Sequence, residues 1–103
     1  MAVALNRVEP VTAAGVLYYP ETGHSLSGPF ADYFNAHGGL MQFGFPITEP
    51  YTGANMTNSK QYVQQFFQRA RMEWHPEYKG TPFEVELGLL GAEQLFKDIM
   101  GSR

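Results

Sequence analysis

The sequence predicts a small single α+β domain, a three-stranded antiparallel meander with one helix before it and one after it. Three observations carry this. Within Gln61 to Gly88, Ala70, Met72 and Trp74 alternate with Arg71, Glu73 and His75, and Phe83, Val85 and Leu87 alternate with Glu84 and Glu86, the period of strands. On either side, Phe30, Tyr33 and Phe34, then Ala92, Leu95, Phe96 and Ile99, recur at helical spacing. Finally, a chain of 103 residues, 44% hydrophobic and 15% aromatic, can bury one core and has no room for a second domain.

Residues 1–15 read as an extended lead-in and 16–101 as one module. Val16 to Tyr19 suits a short edge strand that Pro20 ends. Helix one starts at Ser27 or Gly28, which can cap it, with Pro29 in its first turn. Gly38-Gly39 stops it after about ten residues, because glycine reaches the left-handed conformation past a helix end without a side-chain clash. Phe43 to Pro50 predicts a turn into a short irregular strand. Tyr51 to Lys60, rich in Thr, Gly, Asn and Ser, predicts an exposed, mobile connection that carries the sequon Asn55-Met56-Thr57. The meander limbs are Tyr62 to Phe67, Ala70 to His75 and Phe83 to Gly88, with Pro76 to Pro82 as the second turn. Ala70, Met72 and Trp74 face the helices, and Arg71, Glu73 and His75 face away from the core. Helix two ends at Gly101. Gly28, Phe30, Phe34 and Gly39 are echoed by Gly88, Leu90, Phe96 and Gly101, a faint sign of an array with a period of about 60.

Composition excludes several classes. A charged share of 17% and a net charge of -3 do not suit a protein that neutralises phosphates, so no nucleic-acid partner is expected. The absence of cysteine removes disulfide frameworks and thiolate metal sites. No apolar run approaches the roughly 20 residues of a membrane helix. Met1 to Gly15 holds no hydrophobic signal segment, so an exported chain would carry its signal upstream. The protein is expected to be a monomer or part of a multidomain chain.

The chemistry-bearing residues are sparse. His24, His37 and His75 are read in a turn, at a helix end and at a strand end, and no two have metal-ligand spacing, so neither metal nor cofactor is expected. At a helix C-terminus the dipole alone accounts for His37. Ser25 or Ser27 with His24 or His75 and Glu73 would be the parts of a hydrolase, but neither serine sits in a nucleophile elbow. Glu73 with Glu49, or Glu84 with Glu86, could form a carboxylate pair, yet exposed Glu on a strand is far commoner. No enzymatic activity is therefore expected. A small hydrolase remains an alternative, marked by His24 or His75 within about 3 Å of a serine hydroxyl or a carboxylate in a deep pocket. The row Arg69, Arg71, Glu73 and His75 has two readings: an ion-pair lattice tying the sheet to Pro46 to Pro50, or a polar ligand surface. Trp74 is either core or platform, while Tyr51 and Tyr78 fall in loops.

Phe43-Gly44-Phe45-Pro46 resembles the Leu-Gly-Phe-Pro signature of LGFP repeats, modules of bacterial secreted and cell-envelope proteins. The order Gln65-Phe66-Phe67, Met72-Glu73-Trp74, a proline turn and Val85 to Gly88 is similar to that family's. Thr22-Gly23-His24, Gly38-Gly39, Phe45 to Glu49, Gln68 to Arg71 and the Glu-x-His-Pro-Glu run Glu73 to Glu77 resemble a set of uncharacterised bacterial extracellular accessory modules over about Tyr19 to Gly91. Phe43 stands where the LGFP signature has Leu, and one full unit is visible rather than several. The resemblance implies a non-catalytic module of an exported or cell-envelope protein that binds polysaccharide or cell-wall glycan. Sugars stack C-H faces on aromatic rings and pair hydroxyls with planar polar groups. The candidate ligand residues are accordingly Tyr51, Trp74 and Tyr78 as platform, with Arg71, Glu73 and His75 reading hydroxyls. The alternative is a structural module docking onto a neighbouring domain or repeat.

Overall fold

The computed structural model describes residues 6–54 and 60–88. The predicted second helix, the sequon and the Leu90, Phe96 and Gly101 end of the echo lie outside them. In chain order the elements are β1 (Leu17–Tyr19), β2 (His24–Leu26), α1 (Gly28–Ala36), α2 (Gly39–Phe43), β3 (Tyr51–Ala54), β4 (Gln61–Phe67), β5 (Ala70–Trp74) and β6 (Val85–Gly88), with a 3-10 turn at Pro76–Tyr78 between the last two strands. Among the described residues, β1 and β2 form a two-stranded hairpin, and β3 to β6 form a four-stranded antiparallel sheet in sequence order. The domain is thus α+β.

The expected meander is the β4-β5-β6 part of this sheet, in the register Gln65 to Met72 and Met72 to Leu87. Three expectations need correcting. Tyr51 to Ala54, read as mobile connection, is a fourth strand paired with β4. Its Thr and Gly content hides it, because its pairing is made by the backbone; at Gly53 a side chain would come within 2.7 Å of the Gln64 amide. Gly38-Gly39 does end α1, but a single further helical turn follows at once, its N-cap Gly38 at φ 112°. His24 is in β2 rather than in a turn.

Among the described residues, the core lies where the spacing of the first helix put it. Phe30, Ala31 and Phe34 of α1 and Phe43 of α2 bury against Phe67, Ala70, Met72 and Val85, with Leu26 of β2 closing the cluster. The Phe34 ring lies 5.7 Å from Phe67 and 5.8 Å from Phe43. Arg69 holds α2 in place by donating to the Leu40 and Met41 carbonyls. Trp74 and Val63 sit partly buried at the margin of the cluster.

The opposite face of the sheet overturns the expectation of a wet side. Arg71, Glu73 and His75 are 7%, 2% and 5% exposed, and Gln64 and Phe66 beside them are equally buried. Alternation reports that a strand has two faces, and here polar side chains satisfy one another on a face that is also closed.

Candidate functional site

Among the described residues, two polar clusters and two grooves stand out in this framework. In the first cluster the Glu49 carboxylate gathers the hairpin. Its Oε2 accepts from the Ser25 backbone N–H at 2.8 Å and lies 2.9 Å from His24 Nδ1, while Oε1 accepts from Ser25 Oγ at 2.5 Å. Thr22 Oγ1 donates to the Pro46 carbonyl, Gln65 Nε2 donates to Ser25 O and Thr48 O, and Phe66 N donates to Thr48 Oγ1. The Pro46 to Pro50 segment is therefore tied to the hairpin through Glu49 and to the four-stranded sheet through Thr48 and the Ile47 N–H bond to Phe66 O, and the hydrogen bonds described for Arg71 do not reach it. His24, Ser25 and Glu49 do meet, but the serine hydroxyl donates to the carboxylate instead of facing the imidazole, and neither groove described below reaches them.

In the second cluster, Arg71 Nη1 donates to Glu73 Oε2 at 2.9 Å and to Gln64 Oε1 at 3.1 Å. Glu73 Oε1 lies 2.7 Å from His75 Nε2. His75 Nδ1 lies 3.3 Å from Glu77 Oε2, and its ring packs under Tyr62 at a centroid distance of 4.0 Å. The Arg71 guanidinium occupies the space a Cβ would need at Gly88, so only glycine fits opposite it. The Glu77 carboxyl is held below its ordinary value, first by its own backbone N–H and then, against some desolvation, by His75 and Tyr62.

The larger groove, about 350 Å³, opens at the end of the sheet. Thr52, Val63 and Trp74 are register partners across β3, β4 and β5, so the strand pairing itself makes a floor of one indole and one valine. Tyr62 and Pro76 wall it, and Thr52, Gln61 and Glu77 bring polar groups to the rim. The indole is fixed by Trp74 Nε1 donating to Glu84 Oε2 at 3.1 Å. Glu84 Oε1 accepts from Gly80 N, and the two bonds hold its carboxyl below the ordinary value, the Gly80 N–H contributing most. A smaller groove of about 240 Å³ runs between α1 and the turn before β6, with Asp32, Tyr33, His37, Thr81 and Glu84 in its lining. His37 stacks on Tyr33 at 4.0 Å and donates Nδ1–H to the Tyr33 carbonyl.

The six residues singled out from the sequence do not converge. Trp74 lies in the larger groove. Arg71, Glu73 and His75 are interior and engaged with one another, so they do not reach its mouth. Tyr51 stacks on Phe66 at 6.2 Å on the face away from Trp74, and Tyr78 is exposed in the 3-10 turn, edge-on to Phe83. Sequence reasoning missed Tyr62, Gln61 and Thr52, which join Trp74 only through strand register. No family model, curated protein or solved structure matches this chain.

Proposed function

We propose that this chain is a non-catalytic binding module that takes a polysaccharide or cell-wall glycan weakly in the Trp74 groove, working outside the cell or in the envelope as the LGFP-like motif implies. One observation carries the reading: a pre-formed shallow groove with an indole held in a fixed orientation on its floor, a tyrosine on its wall and a hydroxyl, an amide and a carboxylate at its rim. A pyranose meets that combination with its C-H face on the indole and its hydroxyls toward Gln61, Thr52 and Glu77. Stacking contributes about 1 kcal/mol per ring, so a single site gives affinities of roughly micromolar to millimolar. The test is a pull-down on insoluble cellulose, xylan, chitin and peptidoglycan with Trp74→Ala, Tyr62→Ala and Tyr78→Ala. Retention lost with the first two and kept with the third is the expected result. Retention on none of the four polymers sinks the reading.

A second reading, docking onto a neighbouring domain or repeat, draws on the surface of α2, where Met41 is 91% exposed beside a half-covered Leu40. Its mark is a stable homo-oligomer in light scattering that Met41→Ser disperses. The hydrolase reading has less support. The distance criterion is met by His24 with Glu49 and by His75 with Glu73, but both histidines are interior and neither groove opens onto them.

A further inference from the structure

We infer that Glu73, His75 and Glu86 form a site for a divalent transition-metal ion such as Zn²⁺ or Mn²⁺. Spacing in the sequence hides it, because only Glu73 and His75 are near neighbours; the third donor arrives through the register that sets Glu86 opposite Glu73 across β5 and β6. One carboxylate oxygen from each glutamate and one imidazole nitrogen lie within 4.8 Å of one another. His75 Nε2 is 2.7 Å from Glu73 Oε1 and 3.7 Å from Glu86 Oε1. Ligand atoms around an ion at about 2.0–2.2 Å stand about 3–3.5 Å apart, so these separations bracket what coordination requires.

Two further features favour a cation. The atom of each buried ligand that would not touch the ion is already held, Glu73 Oε2 by Arg71 and His75 Nδ1 by Glu77, which fixes the direction of the donor atoms. Access is also provided: Glu73 and His75 are buried, but the Glu86 side chain is 46% exposed, so an ion enters from that side and keeps an open position toward solvent. One nitrogen with two carboxylate oxygens suits a transition metal better than Ca²⁺ or Mg²⁺, which take oxygen shells. The site backs onto Tyr62 and Glu77, two residues that line the larger groove, yet its argument is independent of any glycan.

The experiment is calorimetric titration of the metal-free protein with Zn²⁺ near neutral pH, repeated with Mn²⁺ and Ca²⁺ and paired with melting curves. Expected are one equivalent of Zn²⁺, a raised melting temperature and no response to Ca²⁺. Glu86→Gln, at a half-exposed position that the fold tolerates, should weaken binding at least by the about 10- to 100-fold that loss of an outer partner costs a metal site, while leaving the metal-free melting curve nearly unchanged. His37→Ala, on the surface of the protein, should leave binding intact. No uptake at micromolar Zn²⁺, or uptake indifferent to Glu86→Gln and lost with His37→Ala, overturns the assignment.

Discussion

The two faces of the four-stranded sheet are both closed, but by different chemistry. On the helix side, rings and aliphatic chains exclude water, and each contact is weakly directional. On the other side the buried groups are a guanidinium, a carboxylate, an imidazole and an amide, which are tolerable only because each finds a partner at hydrogen-bond distance. Removing one member has different consequences on the two faces. The ring side is left with a void, the polar side with an uncompensated charge.

The largest expected effects test that contrast. Phe34→Ala on the ring side should destabilise by about 3–5 kcal/mol, read by urea denaturation. Glu73→Ala on the polar side should cost a similar ~3–5 kcal/mol, since it leaves Arg71 and His75 without their shared acceptor. The faces separate in the double variant: Arg71→Met with Glu73→Leu should restore much of the loss, whereas no second truncation rescues Phe34→Ala. A Glu73→Ala cost under about 1 kcal/mol would mean that the polar face behaves as an ordinary solvated surface.

Next in size is Gly88→Ala. The added methyl must push the Arg71 guanidinium aside, so the unfolding free energy should fall by roughly 1–3 kcal/mol. The same change at exposed Gly15, where a Cβ meets nothing within 4 Å but the backbone is left-handed, isolates the cost of backbone strain without a clash, a strain that Gly88 does not carry.

A smaller effect appears in acid. The Glu77 and Glu84 carboxyls are both lowered from 4.5 in the folded protein. A depressed folded value means stability that is fully present above the unfolded value and is lost as pH falls through the folded one. Melting curves should therefore drop on the acid side of about pH 4.5, and Glu77→Gln with Glu84→Gln should flatten that slope by lowering the melting temperature near neutrality while leaving the acid end unchanged. The smallest change is expected from Tyr78→Ala, within about 0.5 kcal/mol, because its ring is exposed.

Much of the helix side was legible in the sequence. The spacing of Phe30 and Phe34 and the alternation of Ala70, Met72 and Trp74 identify the faces that meet, and the three meander limbs start and end within about two residues of the strands. What escaped has a common cause. β3 pairs through its backbone and shows no apolar alternation. β2 is three residues long, too short for any period. The second helical turn hides behind a glycine pair that also reads as a stop. For the groove, Trp74 could be named as a candidate, but its companions Thr52 and Val63 come from two other strands. The burial of Arg71, Glu73 and His75 was illegible because alternation carries no information about what lies over a polar face.

The Glu49 knot has a consequence for how the molecule exchanges protons with water. The Ser25 amide proton is held by a side-chain carboxylate from a segment 24 residues away. Its exchange rate therefore reports the attachment of the hairpin to the Pro46 to Pro50 segment, while amides in the β4 and β5 ladder report opening of the sheet. Deuterium labelling followed residue by residue would show whether the two release together. An early-exchanging Ser25 against a slow Met72 would identify the hairpin as a separate opening unit hinged beside the Phe43 to Pro46 turn.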